Sequence, residues 1–288
     1  MKDKTVLITG ANKSIGFETA RQLGLRGYRI WLACRDKARG QAALAKLIAE
    51  GIETRIVVMD VTQLSSVQAA AQYMFKEEGQ LDILINNAGI SGFLGTHPSE
   101  QSIDEVMAVY DTNVFGAIRV TQAFLPLLKA AVSAKIIMVS SGLGSLEWVS
   151  DPNHPYFKVN ELGYNSSKTA LNAVTLAFAK QLKDQGISVN AVDPGYTASD
   201  FNGHSGYRSV TEAAAGIFWL AEQIPAEITG GFYFDQHRAP WLRPAESRYN
   251  QDDERVCISA AGIFWRSLRL NISLPRLLIR PLLFSTRR

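Results

Sequence analysis

The chain has 288 residues, 47% of them hydrophobic, and its 30 basic and 27 acidic side chains leave a net charge of +3. That is ample apolar material for one buried core, and too even a charge balance for a nucleic-acid surface. Cys34 and Cys257 give no disulfide framework or zinc spacing, and His97, His154, His204 and His237 are scattered. No metal is expected, and a reducing, cytoplasmic setting is the simple reading.

The N-terminus passes almost at once into TVLIT, and no apolar run reaches membrane-spanning length, so neither a signal peptide nor an integral membrane span is expected. In chain order the strand-like runs are TVLIT (5–9), RIWLA (29–33), TRIVVMD (54–60), LDILINN (81–87), AKIIMVS (134–140), ISVNAV (187–192) and GGFYF (230–234). They are near-continuous in apolar residues rather than alternating, which predicts a parallel sheet buried on both faces. Helical patterns fill the gaps at 15–26, 37–50, 65–78, 102–130 with a break near Asn113, 161–184 and 211–222. The fold expected is α/β, a doubly wound Rossmann fold with a seven-stranded, mostly parallel sheet and helices on both faces.

Ligands of such sheets sit beyond the carboxyl ends of the strands. Those ends read TGANKSIG, CRD, DVT, NNAG, SSG and DPGYT. The residues are small, polar or glycine, as a ligand crevice requires. The motifs TGANKSIG, NNAG, DTNVFG, VSSG, YNSSK and DPG, in this order on this frame, resemble the short-chain dehydrogenase/reductase family in its single-domain form. The likeness covers residues 4 to about 241, and the early part looks most like NADPH-dependent carbonyl reductases.

In that family the first turn brings backbone N–H groups and a helix N-terminus to a pyrophosphate. Here the turn comprises Gly10, Asn12, Lys13, Ser14, Ile15 and Gly16, and Ser14 stands where the family has glycine. Its Cβ is tolerable if φ is negative, with the hydroxyl free to meet a phosphate, and binding is expected to weaken rather than vanish. At the end of strand two, an NAD-selective site places an acid. This chain has Cys34 and Arg35, with Asp36 one position late. Arg35 and Lys13 together favour NADP(H), because a guanidinium pairs with a 2′-phosphate that a carboxylate would repel. The resemblance further places Asp60 and Val61 beside the adenine, and Asn87, Ala88 and Gly89 on the crevice floor. It puts Pro194, Gly195 and Thr197 near the nicotinamide.

Tyr164 and Lys168 are four residues apart, hence one turn apart on one helix face. Adding a hydride to a carbonyl leaves an alkoxide that needs a proton. A phenol beside an ammonium, with its pKa drawn towards neutrality, can supply it. Tyr164 and Lys168 would also border the cofactor. By resemblance Ser141, rather than Ser140, donates to the substrate oxygen, and Asn113 holds a water that relays protons from Lys168.

The activity implied is NADPH-dependent reduction of a ketone or aldehyde, or secondary-alcohol oxidation in reverse, on a small-molecule substrate. The alternatives are a catalytically silent NADP-binding sensor or scaffold and, less favoured, a sugar-nucleotide epimerase or dehydratase. The insertion EWVSDPNHPYFKVNE is expected to overhang the substrate mouth with Trp148, Tyr156 or Phe157, and to favour a monomer or homodimer over a tetramer. The segment 196–209 resembles a mobile substrate loop. Residues 1–241 form the expected domain. Beyond them, 242–288 carry nine Arg, no Lys and four acids and read as an Arg-rich appendage.

Overall fold

A computed structural model describes residues 4–92 and 95–242. The Arg-rich segment, apart from Leu242, lies outside the described residues. The elements are β1 (Thr5–Thr9), α1 (Ser14–Leu25), β2 (Arg29–Cys34), α2 (Lys37–Ala49), β3 (Thr54–Val58), α3 (Leu64–Glu78) and β4 (Ile83–Asn86). They continue with α4 (Ile103–Tyr110), a π turn (Asp111–Gly116), α5 (Ala117–Ala130), β5 (Ala134–Val139), α6 (Leu146–Ser150), α7 (Leu162–Leu182) and β6 (Ile187–Asp193). The last are α8 (Val210–Glu222), β7 (Phe232–Phe234) and β8 (His237–Arg238).

The strand order is β3-β2-β1-β4-β5-β6-β7-β8. Every pairing is parallel except β7 with β8. Among the described residues the sheet therefore has eight strands, one more than expected, because Asp235 and Gln236 close a tight hairpin at φ 45° and 67°. The remaining order is that of a doubly wound sheet. Winding reverses between β1 and β4, which opens a crevice at their carboxyl ends.

Burial follows the apolar runs. Every residue of β1 and of β6 is buried, and one cluster fills each face of the sheet. Trp31, Phe124 and Leu84 lie in one cluster; Ile8, Leu32 and Leu220 lie in the other. Each fully buried side chain of this size contributes about 1.5–3 kcal/mol. Helix α8 is pinned at both ends. Ser209 and Glu212 form a reciprocal capping box at its start. Lys135 Nζ, from β5, donates to the carbonyls of Leu220, Ala221 and Ile224 at its finish. That ammonium meets the negative end of the helix dipole, although burial lowers its pKa to about 8. Among the described residues no helix is long and apolar enough to cross a membrane.

Candidate active site

The turn after β1 is shaped by close approach. Gly10 has φ 65°, and a Cβ there would stand 3.0 Å from Ala88 Cα. A Cβ on Gly16 would crowd Asn87 Nδ2 and lie 2.9 Å from the Gly10 carbonyl oxygen. Thr9 Oγ1 accepts from the backbone N–H groups of Asn87 and Ala88, each at 2.9 Å, and Asn87 Nδ2 donates to Thr9 O at 2.8 Å. The NNAG stretch thus stitches β4 to the turn, and Gly89 continues past Asn113 and Lys168. The Gly10–Gly16 turn and the NNAG stretch therefore lie against each other at the carboxyl ends of β1 and β4.

Ser14 differs from expectation. Its φ is +50°, not negative, so this non-glycine residue holds the left-handed conformation that glycine adopts freely. Its hydroxyl faces Asp200 Oδ2 at 3.0 Å. Lys13 Nζ stands 3.4 Å from the same oxygen, and His204 Nε2 is 3.2 Å from Oδ1. The Ser14 hydroxyl and Lys13 together pull the exposed Asp200 carboxyl below its ordinary value. A carboxylate from the 196–209 segment therefore sits against the glycine turn. No sequence signal announces this contact across 186 positions.

At the end of β2 the carboxylate of Asp36 is spent on the next helix. It accepts from Arg39 N at 2.9 Å as the N-cap of α2 and pairs with the Arg39 guanidinium at 3.4 Å. Arg35 is exposed, and no ion pair to it occurs among the described residues. Burial raises the Asp60 carboxyl, but the hydroxyl and N–H of Thr62, with help from Arg35, bring it below its ordinary value. Val61 is buried and packs on Gly116. Asn12 and Ile15 are half-buried in the turn.

Helix α7 presents Tyr164 and Lys168 on one face, with Lys168 Nζ 5.6 Å from the centre of the Tyr164 ring. Gly144 makes this possible, since a Cβ there would press on the Lys168 backbone at 2.7 Å. Lys168 Nζ donates to Val139 O at 2.8 Å. Burial lowers Lys168 to about 8, and Asp193 opposes the fall. Burial also raises the Tyr164 phenol, Asp193 adds to the rise, and a hydrogen bond with Ser141 works against it. The chain alone thus holds Tyr164 as a neutral acid, where the sequence suggested a pKa drawn towards neutrality. Ser140 turns away and bonds Asn172, while Ser141 caps its turn by accepting from Leu143 N at 3.2 Å.

Asn113 sits in the π turn, where the long helical pattern was expected to break. Its Oδ1 accepts from Ile90 N at 2.8 Å, and its Nδ2 donates to Ile90 O at 2.9 Å and Ser167 Oγ at 3.1 Å. After β6, Gly195 takes φ 75°, Pro194 leads into it, and the Thr197 hydroxyl folds back on the Gly195 carbonyl at 3.0 Å.

Two residues here escaped the sequence reading. Asp193 is buried at the end of β6; Gly195 N–H donates to its Oδ1 at 2.8 Å, and burial raises its carboxyl above the ordinary value although the Gly195 and Gly142 N–H groups and Arg208 work against the rise. Arg208 Nη atoms pair with Asp235 at 2.6 and 2.8 Å, while its buried Nε has none. Asp193 was visible as the first letter of DPG but was read only as part of the motif. Of the insertion, Trp148 and Tyr156 close on Gly142 and Asp193, while Phe157 is exposed. Phe201, from the 196–209 segment, lies 5.5 Å from the Tyr164 ring.

A doubly wound sheet with a tyrosine–lysine helix face at its switch-point crevice defines a class, and the chain belongs to the short-chain dehydrogenase/reductase family of oxidoreductases. The family model described as short chain dehydrogenase matches residues 4–208. Similar relatives include the short-chain dehydrogenase anuI of Penicillium roqueforti, 37% identical over 81% of this chain and 94% of that protein. Retinol dehydrogenase 12 of Bos taurus is 31% identical over 91% and 87%. Among solved structures, the NADPH-bound carbonyl reductase from chicken fatty liver superposes with a TM-score of 0.75 at 29% identity, covering 84% of this chain and all of that one.

Proposed function

We propose that the protein is an NADP(H)-dependent carbonyl reductase acting on a ketone or aldehyde, with Tyr164 as the proton donor. The observation that carries this reading is the Tyr164–Lys168 pair, with Ser141 beside the phenol, at the mouth of a crevice bounded by Gly10, Gly16 and the NNAG stretch. Gly10 to Gly16 would hold the diphosphate, Arg35 and Lys13 the 2′-phosphate, and Asp60, Val61 and Asn87 to Gly89 the adenosine side. Pro194, Gly195 and Thr197 would border the nicotinamide. The bound cofactor supplies the hydride.

The chain's own residues do the rest. Ser141 Oγ–H would donate to the substrate oxygen and steady its growing negative charge. The neutral Tyr164 phenol would then pass its proton to that oxygen. The ammonium of Lys168 would stabilise the phenolate left behind. Asn113 would hold Gly89 and Ile90 in place beneath the pair and support the relay that returns the proton. A raised phenol pKa suits this direction, because reduction consumes the protonated form.

Two outcomes follow from the electrostatics. Lys168 titrates at about 8 and is charged below that value. The kcat/KM for reduction is therefore expected to hold on the acid side and to fall as pH rises through about 8, measured with a fixed ketone and saturating NADPH. A flat profile to pH 10 would remove Lys168's charge from the mechanism. Asp200→Ala frees the glycine turn from a tethered carboxylate. An exposed contact of this kind is worth about 0.2–1 kcal/mol, so the Kd for NADPH is expected to drop roughly 1.5- to 5-fold by calorimetry. An unchanged or weaker affinity would mean the contact does not compete with the cofactor. Light scattering tests the expectation of a monomer or dimer.

A further inference from the structure

Helix α7 carries a third polar side chain along the stripe of Tyr164 and Lys168. Asn172 lies one further turn on, at the i+4 spacing from Lys168, and is 4% exposed. Other buried residues of α7 include Leu171, Ala179 and Leu182, so an apolar side chain is the ordinary occupant of such a position. An amide placed there needs partners for its polar atoms. Asn172 finds them on one short segment. Its Oδ1 accepts from the Ser140 hydroxyl, and its Nδ2 donates to Gly144 O at 3.1 Å. Ser140 and Gly144 flank the tight turn that holds Ser141.

The ends of that turn are fixed in different ways. Ser140 N–H donates to Val192 O at 2.8 Å, which ties the first end to β6. At the second end the lack of a side chain lets Gly144 press on the helix, since a Cβ there would stand 2.7 Å from the Lys168 carbonyl carbon. That contact stops the turn from moving inward; the Asn172 bond stops it from moving out. Thr169 Oγ1 also reaches Gly144 O, at 3.2 Å, but stands equally far from Asn165 O. One hydroxyl has one proton to give.

We propose that Asn172 is a positioning residue: it spans the turn from Ser140 to Gly144 and so holds the Ser141 hydroxyl within hydrogen-bond range of the Tyr164 phenol. This rests on the reductase reading, in which Ser141 steadies the substrate oxygen and Tyr164 protonates it. Ser141 belongs to the turn and Tyr164 to the helix, so the distance between them depends on how the two elements are joined. A misplacement of about 1 Å at reacting groups costs about 10²-fold in rate. A carboxylate cannot replace the amide, because it accepts from Ser140 but has no N–H for the Gly144 carbonyl.

The test is a double-mutant cycle in the full chain, with a fixed ketone and saturating NADPH. Asn172→Leu keeps the volume and removes both bonds. It is expected to lower kcat about 10- to 100-fold and to leave the Kd for NADPH within about twofold. In a Ser141→Ala background the same substitution should change kcat by less than about threefold, because the hydroxyl it positions is already gone. Ser140→Ala removes one bond and should repeat the pattern with a loss of about three- to tenfold, which keeps the cycle usable if Asn172→Leu does not fold. Hydrogen exchange read by mass spectrometry needs no turnover. The Gly144 and Ser145 amides, which donate to Ser141 O at 2.9 Å and Gly142 O at 3.0 Å, should exchange at least about fivefold faster in either variant, while those of β1 keep their wild-type rates. Equal losses of kcat in the two backgrounds would overturn the proposal, since a general loosening of the scaffold acts in both. Unchanged exchange in the turn would overturn it as well. A wild-type chain that oxidises no NADPH with any ketone would sink the reductase reading, and the exchange rates would still decide whether Asn172 holds the turn.

Discussion

Tyr164→Phe is expected to lower kcat for ketone reduction by about 10²- to 10⁴-fold while leaving the Kd for NADPH within about twofold. The substitution removes one oxygen. Lys168 keeps its bond to Val139 O, and α7 keeps its seat on Gly144, so the crevice survives. What disappears is the hydroxyl that bonds Ser141 on the ring that faces the Lys168 ammonium. Turnover is read from loss of the reduced nicotinamide absorbance, and binding from calorimetry. A rate within threefold of wild type would rule out Tyr164 as the proton donor, and lost cofactor affinity would mean the phenol chiefly shapes the site.

Arg35→Ala is expected to raise the KM for NADPH by about 10- to 100-fold and to leave the KM for NADH nearly unchanged. That range is the loss of one or two hydrogen bonds to a charged partner, each about 1.5–3 kcal/mol and partly screened at an exposed site. The structure sharpens the expectation at Asp36. Had its carboxylate faced the crevice it would have repelled a 2′-phosphate, but it is engaged at the start of α2. Arg39, tied to Asp36, serves as a neighbouring control: Arg39→Ala should alter neither constant by more than about threefold. Equal effects of Arg35→Ala on the two cofactors would remove it as the selectivity residue.

Much of this was legible in the chain. Seven strands were visible because a parallel sheet covered on both faces demands apolar runs, and TVLIT and ISVNAV show them without interruption. LDILINN overran its strand, since Asn87 leaves the ladder to bond Thr9. The eighth strand left no trace: two residues cannot show a period, and its turn uses Asp235-Gln236 in place of the usual Asn-Gly. The Tyr164–Lys168 face was readable because helical spacing is local. The left-handed Ser14, its contact with Asp200, and the convergence of Trp148, Tyr156 and Asp193 on Gly142 arise between distant segments, where spacing carries no information.

The π turn at Asp111–Gly116 works as a register device. A turn of this kind carries one residue more than an α turn, so everything before it is rotated by about 100° from where an unbroken helix would point it. Removing a single residue from DTNVFG would let α4 run without a break into α5 as far as Pro126. The same step would swing Ile103 and Met107 to a new heading and withdraw the Asn113 amide from Ile90 and Ser167. The shorter chain would be the better helix and would lose the bracket that ties it to the crevice.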